Sequence, residues 1–374
     1  MRTALTSPRE GAVGPSPPQP REAATTSALR QSRTALRRIR RQDAFVHQTL
    51  VSVVGRYQRP MGRLSTILCN RSLSVVWPRL AEETVGRSET SFIGHRLAPG
   101  SDGCVIFRIA VDLNLRGKIA VVTGASKGIG LAITKKLVAE SARVIAGARD
   151  VGGELGALAS REAVRAVSID LSAPDGPQTL VAHAEEFGGL DILVNNVGAV
   201  AVRLGGFASV TDDQWLSSLN LNFMAAVRTT RAALTPMLKR NSGVIVTISS
   251  VNSFLPDPGI IDYCASKAAL TNFSKALSKE VGPKGIRMNT VSPGPVETAL
   301  WLGPEGVAAT VAKASGVDPE TARKQVVASQ GGLATGRFTR PDEVADLVLF
   351  LASDRSGNIT GADFVIDGGL IKTL

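Results

Sequence analysis

The sequence predicts a doubly wound α/β domain: a parallel seven-stranded sheet with helices on both faces, occupying residues 111–374 and preceded by an extension expected to be largely disordered. Two observations predict it. Short runs that are apolar throughout alternate with amphipathic stretches, as strands of a parallel sheet covered on both faces must. A glycine-rich turn also follows the first such run and opens a helix, and folds of this kind place their ligand crevice at the carboxyl ends of the strands.

In chain order, the strands are expected at 118–123, 143–148, 164–169, 190–195, 243–249, 286–291 and 363–366. Each is rich in Val, Ile and Leu, the residues that a buried pleated surface favours. Helices are expected from the glycine turn through Glu140 and at 174–187, 220–240, 263–281 and 341–352. The stretch 298–340 reads as an insertion forming a lid over the substrate. Trp301, Leu302, Phe254 and Leu255 suggest a mainly apolar pocket beneath it.

The first 110 residues have a different texture. They hold 17 arginines, no lysine and seven acids, whereas 111–374 holds 26 basic and 25 acidic residues. The net charge of +11 therefore belongs almost entirely to the extension, and the near-neutral domain offers no footprint for a nucleic-acid backbone. Prolines cluster at 14–20, arginines crowd 30–41, and the apolar runs 49–54 and 75–77 are too isolated to share a core, with one marginal helix at 28–41. An acid-poor, Arg- and Ser-rich start is also compatible with an organelle transit peptide or a charged arm. The default compartment is the cytoplasm, and a chain starting at Val111 is expected to fold and keep its activity.

Several function classes fall away. No run approaches the ~20 apolar residues of a membrane-spanning helix. Cys69, Cys104 and Cys264 lack the spacing of a disulfide framework or a thiolate zinc site, and His47, His95 and His183 are scattered, so no metal is expected.

The turn Thr123-Gly124-Ala125-Ser126-Lys127-Gly128-Ile129-Gly130 sits inside a complete strand–helix–strand unit. Its glycines let the backbone approach a pyrophosphate, whose charge the helix N-terminus meets. An acid at the end of the second strand binds a ribose 2′-hydroxyl, whereas an arginine accommodates a 2′-phosphate. Here Ala148 takes the usual place of the acid and Arg149 follows, with Lys127 a second positive charge. That pattern favours NADP(H), while Asp150, one register slip away, keeps NAD(H) open.

Tyr263 and Lys267 are one helical turn apart on the same face. An unaided phenol titrates near ~10, and a neighbouring ammonium brings it towards the working range. Tyr263 is the only tyrosine in residues 111–374. Ser250 ends a strand at the crevice, where its hydroxyl can meet a substrate carbonyl.

Taken together, Thr123–Gly130, the sequence Asn195-Asn196-Val197-Gly198, Asn222, Ser250, the Tyr263/Lys267 pair, Pro293-Gly294 with Thr298, and Asp367-Gly368-Gly369 resemble the short-chain dehydrogenase/reductase family in its single-domain, Rossmann-type form. The resemblance covers about residues 113–370, and Val197 departs from the family's usual Ala. It implies that Tyr263 exchanges the proton, Lys267 lowers its pKa and holds the nicotinamide ribose, Ser250 positions the carbonyl, and Asn222 carries the water of a proton relay. It further implies that Gly124, Ser126, Lys127, Gly128, Ile129 and Gly130 hold the pyrophosphate. Asp170 and Leu171 would flank the adenine, Asn196 and Gly198 the adenosine ribose, and Pro293, Gly294, Val296 and Thr298 the nicotinamide. Within the family, the sequence looks most like the 3-oxoacyl-[acyl-carrier-protein] reductase group. The implied activity is interconversion of a ketone and a secondary alcohol, with a sugar or polyol dehydrogenase as the alternative and a non-catalytic nucleotide-binding regulator as a third reading. The implied assembly is a homotetramer or dimer with no nucleic-acid or membrane partner.

Overall fold

The structure, a computed structural model, describes residues Thr66–Leu68, Thr90–His95 and 105–373. The chain divides into two compact units, and the larger contains residues 109–374. In it seven strands form one sheet: β1 (Ile119–Thr123), β2 (Arg143–Ala148), β3 (Val164–Ser168), β4 (Ile192–Asn195), β5 (Gly243–Ile248), β6 (Ile286–Pro293) and β7 (Asp363–Ile366). The order across the sheet is 3-2-1-4-5-6-7, and every pairing is parallel. Each lies within two residues of its expected place.

Burial explains why these runs are strands. Every residue of β1 and β4 is buried, whereas the edge strands β3 and β7 each leave two positions exposed. A central strand in a three-layer fold has no solvent face, so apolar side chains are needed at each position.

One layer is α1 (Gly128–Ala139) with α10 (Pro341–Ala352), which bury Ile133 and Leu137 together with Val344 and Val348. The opposite layer contains α3 (Gly176–Ala182), α5 (Ala225–Arg240) and α6 (Ile261–Val281), burying Leu180, Met237 and Val281. A small helix α2 (Gly153–Ala159) joins β2 to β3. Gly147 in β2 faces Leu180 so closely that a Cβ would strike its side chain, which is why a residue without one stands there.

The expected helix 220–240 is longer and less regular. Thr211 accepts a bond from the Gln214 N–H at 3.3 Å, and Gln214 accepts one from the Thr211 N–H at 3.0 Å, which starts α4 (Asp212–Leu219). A π-helical turn, Asn220–Met224, then joins α4 to α5. The expected lid contains α7 (Ala299–Leu302), α8 (Val307–Ser315) and α9 (Pro319–Ser329).

Three further strands fall in the span where the sequence predicts no shared core. Val105–Val111 is the middle strand of a three-stranded sheet with Thr66–Leu68 and Thr90–His95, and it runs antiparallel to the first, with Thr66 opposite Phe107. The helix expected at 28–41 lies outside the described residues. Among the described residues, no helix is long and apolar enough to cross a membrane, and no cluster of His, Cys, Asp or Glu could hold a metal ion.

Candidate active site

The sheet order reverses between β1 and β4, which opens a crevice at the carboxyl ends of the strands. A cleft of about 950 Å3 occupies it. At one end lies the glycine turn. Gly124 and Gly128 have φ of +66° and +56°, conformations that glycine adopts without steric cost. A Cβ on Gly130 would run into the carbonyl oxygen of Gly124, so the third glycine lets helix and turn touch. Gly130 is buried under the turn while Gly124, Ser126, Lys127, Gly128 and Ile129 line the cleft.

Asn196 is what fixes this turn. Its Nδ2 donates to the carbonyls of Thr123 at 2.9 Å and Gly124 at 3.1 Å. The Thr123 hydroxyl in turn accepts the N–H groups of Asn196 at 2.8 Å and Val197 at 3.0 Å. The two central strands are thereby tied at their carboxyl ends. No side chain caps the start of α1, so its first N–H groups face the cleft without a partner in the helix. That open N-terminus, with Lys127 beside it, fits the pyrophosphate of a dinucleotide.

Next along the cleft are Ala148, Arg149, Asp170 and Leu171. Arg149 and Asp150 are both exposed. The Asp150 carboxylate accepts the Gly152 N–H at 2.9 Å and so closes the turn into α2. Asp170 accepts from the Ser172 N–H and hydroxyl at 2.9 and 2.8 Å. Those bonds hold its carboxyl below the usual range against its slight burial, and the charge of Arg149 adds to them.

The residues expected to do chemistry meet where β4 and β5 end. Lys267 is 3% exposed and its Nζ donates to the Ile248 carbonyl at 2.9 Å. Burial pulls its pKa down to about 8. Tyr263 is pushed up to about 12 by burial, with a hydrogen bond from the Ser250 side chain pulling the other way. The Tyr-x-x-x-Lys spacing predicts instead that Lys267 brings the phenol down. In this geometry the ammonium is 5.7 Å from the ring centroid, and desolvation of the phenolate prevails over the Ser250 hydrogen bond. Ser250 accepts the Asn252 N–H at 3.2 Å.

Asn222 is buried and does not line the cleft itself. The π turn aims its Oδ1 at the Ala199 N–H, 2.9 Å away, while its Nδ2 donates back to the Ser218 carbonyl at 3.1 Å. Gly198 lies between Asn222 and Lys267: a Cβ there would be 2.9 Å from the amide oxygen and 3.5 Å from the ammonium. Opposite, Pro293, Gly294, Val296 and Thr298 line the far wall. A Cβ on Gly128 would come within 3.2 Å of the Thr298 methyl, so the glycine turn and the start of the lid stand against each other.

The pocket wall differs from the expectation. Trp301 lines the cleft and packs edge-on against Phe338, with ring centroids 5.3 Å apart. Phe254, Leu255 and Leu302 do not line it, and Phe254 and Leu302 are about half exposed. Apolar cover comes instead from Val200, Val202 and Ile260, and from Val307, Val311 and Val326 of the lid. Sequence reasoning also missed Asn252, Asp257 and Gln330, which line the cleft. For Asn252 the signal was its position two residues after Ser250; for Gln330 there was none.

A nucleotide-shaped crevice with a serine, a tyrosine and a lysine at its inner end defines a dinucleotide-dependent oxidoreductase. The short chain dehydrogenase family model matches residues 118–303. The 3-oxoacyl-[acyl-carrier-protein] reductase FabG of Vibrio harveyi is 34% identical over 69% of this chain and 99% of its own. The D-threitol dehydrogenase of Mycolicibacterium smegmatis is 36% identical over 69% and 94%. The L-sorbose reductase of Gluconobacter frateurii, solved with NADPH and L-sorbose, superposes with a TM-score of 0.64 at 33% identity, covering 70% of this chain and 100% of that one. This chain belongs to the short chain dehydrogenase family. It is an NAD(P)-dependent oxidoreductase acting on CH–OH and C=O groups.

Proposed function

We propose that the protein is an NADP(H)-dependent ketone reductase acting on a 3-oxoacyl-type substrate. The observation that carries this reading is that Ser250, Tyr263 and Lys267 line one cleft, with Asn222 buried beside Gly198. The nicotinamide cofactor supplies the hydride when bound. Tyr263, with a pKa of about 12, keeps its proton at neutral pH and is poised to give it from Oη to the substrate oxygen. Ser250 Oγ accepts the Asn252 N–H at 3.2 Å and donates to Asn252 Oδ1 at 3.3 Å, a donor that turns to the substrate oxygen when a carbonyl enters. Lys267, fixed on the Ile248 carbonyl, stabilises the phenolate left behind and holds the nicotinamide ribose. Asn222 positions the Ala199 backbone and lies beside Gly198, between that loop and Lys267.

The preference for NADP(H) rests on Arg149 and Lys127, which border the cleft, and on Asp150, whose carboxylate is engaged in its own turn. The relationship to the threitol dehydrogenase and the sorbose reductase favours a second reading, a sugar or polyol dehydrogenase using NAD(H). Initial rates of NADPH and NADH oxidation with a 3-oxoacyl thioester, a diketone and a keto sugar separate the two. Turnover of the thioester with NADPH supports the first reading. Turnover of the keto sugar with NADH alone supports the second. A homodimer or tetramer is the expected assembly, checked by light scattering.

A further inference from the structure

The substrate half of the cleft carries one feature that the chemistry of the reaction does not use. Asp257 reaches it from the loop before α6, and Gln330 reaches it from the residue that ends α9 in the lid. Gln330 Nε2 donates to Asp257 Oδ2 at 2.9 Å, while Asp257 Oδ1 accepts the Gly259 N–H at 2.7 Å. The Asp257 backbone N–H rests on the thiol of Cys264, the residue after Tyr263, at 3.3 Å. The carboxylate is therefore held close to the reacting end, by the floor on one side and the lid on the other.

The charges lining the cleft are arranged unevenly. Among its described lining residues the basic side chains are Lys127 and Arg149 at the nucleotide end and Lys267 beneath the nicotinamide position, with Nζ bonded to a backbone carbonyl. No cation lines the lid side beside Asp257, where the neighbouring walls are Val307, Val311 and Val326. An anionic group entering beside Asp257 would face that carboxylate among apolar walls, while the cleft's buried cation, Lys267, is bonded to the Ile248 carbonyl.

Resting on the proposed reductase activity, we infer that Asp257 and Gln330 form a charge filter. The site takes 3-oxoacyl groups in neutral form, as thioesters whose amide-bearing arm can donate an N–H to Asp257, and turns away free 3-oxo acids. Two unit charges several ångströms apart in a partly screened pocket repel enough to lower binding about a hundredfold.

The test is a matched pair: a 3-oxoacyl N-acetylcysteamine thioester and the corresponding free 3-oxo acid, each with NADPH and the full chain. Wild-type protein is expected to prefer the thioester at least about a hundredfold in kcat/KM. Asp257→Asn should shrink that ratio at least tenfold, and Gln330→Glu should enlarge it. NADPH binding and thermal melting, measured on each variant, identify those that are folded. A wild-type ratio near one, or a ratio that neither folded variant moves, overturns the filter and leaves the reductase reading standing. Absence of turnover with either substrate, in protein that binds NADPH, overturns the 3-oxoacyl reading and the filter with it.

Discussion

Lys267 Nζ is 5.7 Å from the centre of the Tyr263 ring and spends its hydrogen bond on the Ile248 carbonyl at 2.9 Å. The two side chains share one helix face, but the lysine is anchored to the sheet. Burial acts on them in opposite senses, raising the phenol to about 12 and lowering the ammonium to about 8. The neutral form of each is favoured, as desolvation requires.

Replacing Tyr263 by Phe removes the proposed proton donor and leaves the ring in place. Turnover is expected to fall by several orders of magnitude, with NADPH still bound in a fluorescence titration. A loss smaller than tenfold, about 1.4 kcal/mol of barrier, would place the proton elsewhere.

The lysine is expected to set the alkaline limb of the pH profile. For ketone reduction, kcat/KM should decline as pH rises through about 8, where Lys267 loses its proton. In the activity that Lys267→Arg retains, the limb moves more than two pH units higher. The same group imposes a stability cost with a definite sign. Its folded pKa lies below the unfolded value near 10.5, so the unfolded chain binds more protons between those limits and stability rises with pH there. Lys267→Met removes that dependence. Its stability relative to wild type should drop by roughly 3 kcal/mol between pH 8 and 10.5 in urea unfolding.

Asp262 is 1% exposed and accepts both Nε, at 3.2 Å, and Nη2 of Arg203. Burial raises its pKa, but the Arg203 hydrogen bonds and charge prevail and hold it below the usual carboxylate range. Asp262→Asn leaves a partly buried guanidinium without its counter-charge and should cost about 2 kcal/mol. Arg203→Met together with Asp262→Leu should cost less than the sum of the single changes. In the wild type this contribution is intact above the unfolded carboxyl pKa and is lost on acidification through the folded one. Urea midpoints over that pH range check it.

Arg149 is exposed at the cleft edge, so its replacement should leave the fold intact. Arg149→Ala is expected to raise KM for NADPH about tenfold or more and leave KM for NADH within about twofold. Equal effects on both cofactors would remove the 2′-phosphate from this side chain.

Most of the fold was legible because the central strands β1, β2, β4, β5 and β6 are buried on both faces and so carry an apolar signature. The glycine turn, Ser250 and Tyr263/Lys267 were legible because each is a local pattern fixed by one turn or one helix face. The pocket wall was not. Val307, Val311 and Val326 enter the cleft only because α8 and α9 fold over it, and hydrophobicity alone did not distinguish them from the half-exposed Phe254 and Leu302. Gln330 meets Asp257 across 73 positions of sequence, a pairing no local period announces. The capping box at Thr211/Gln214 was readable and shows the long helix starting eight residues before its expected place at Asn220.

The π turn at Asn220–Met224 holds one residue more than a regular helix would need. Deleting a single codon there would let α4 and α5 fuse into an uninterrupted helix that still buries Met237 and Ala233. The flanking helices would keep their faces, because the π turn is what absorbs the extra residue, but the amide at 222 would lose the turn that aims it at the Ala199 N–H. Such a chain is expected to keep its fold and lose turnover, a lesion that a hydropathy plot would not reveal.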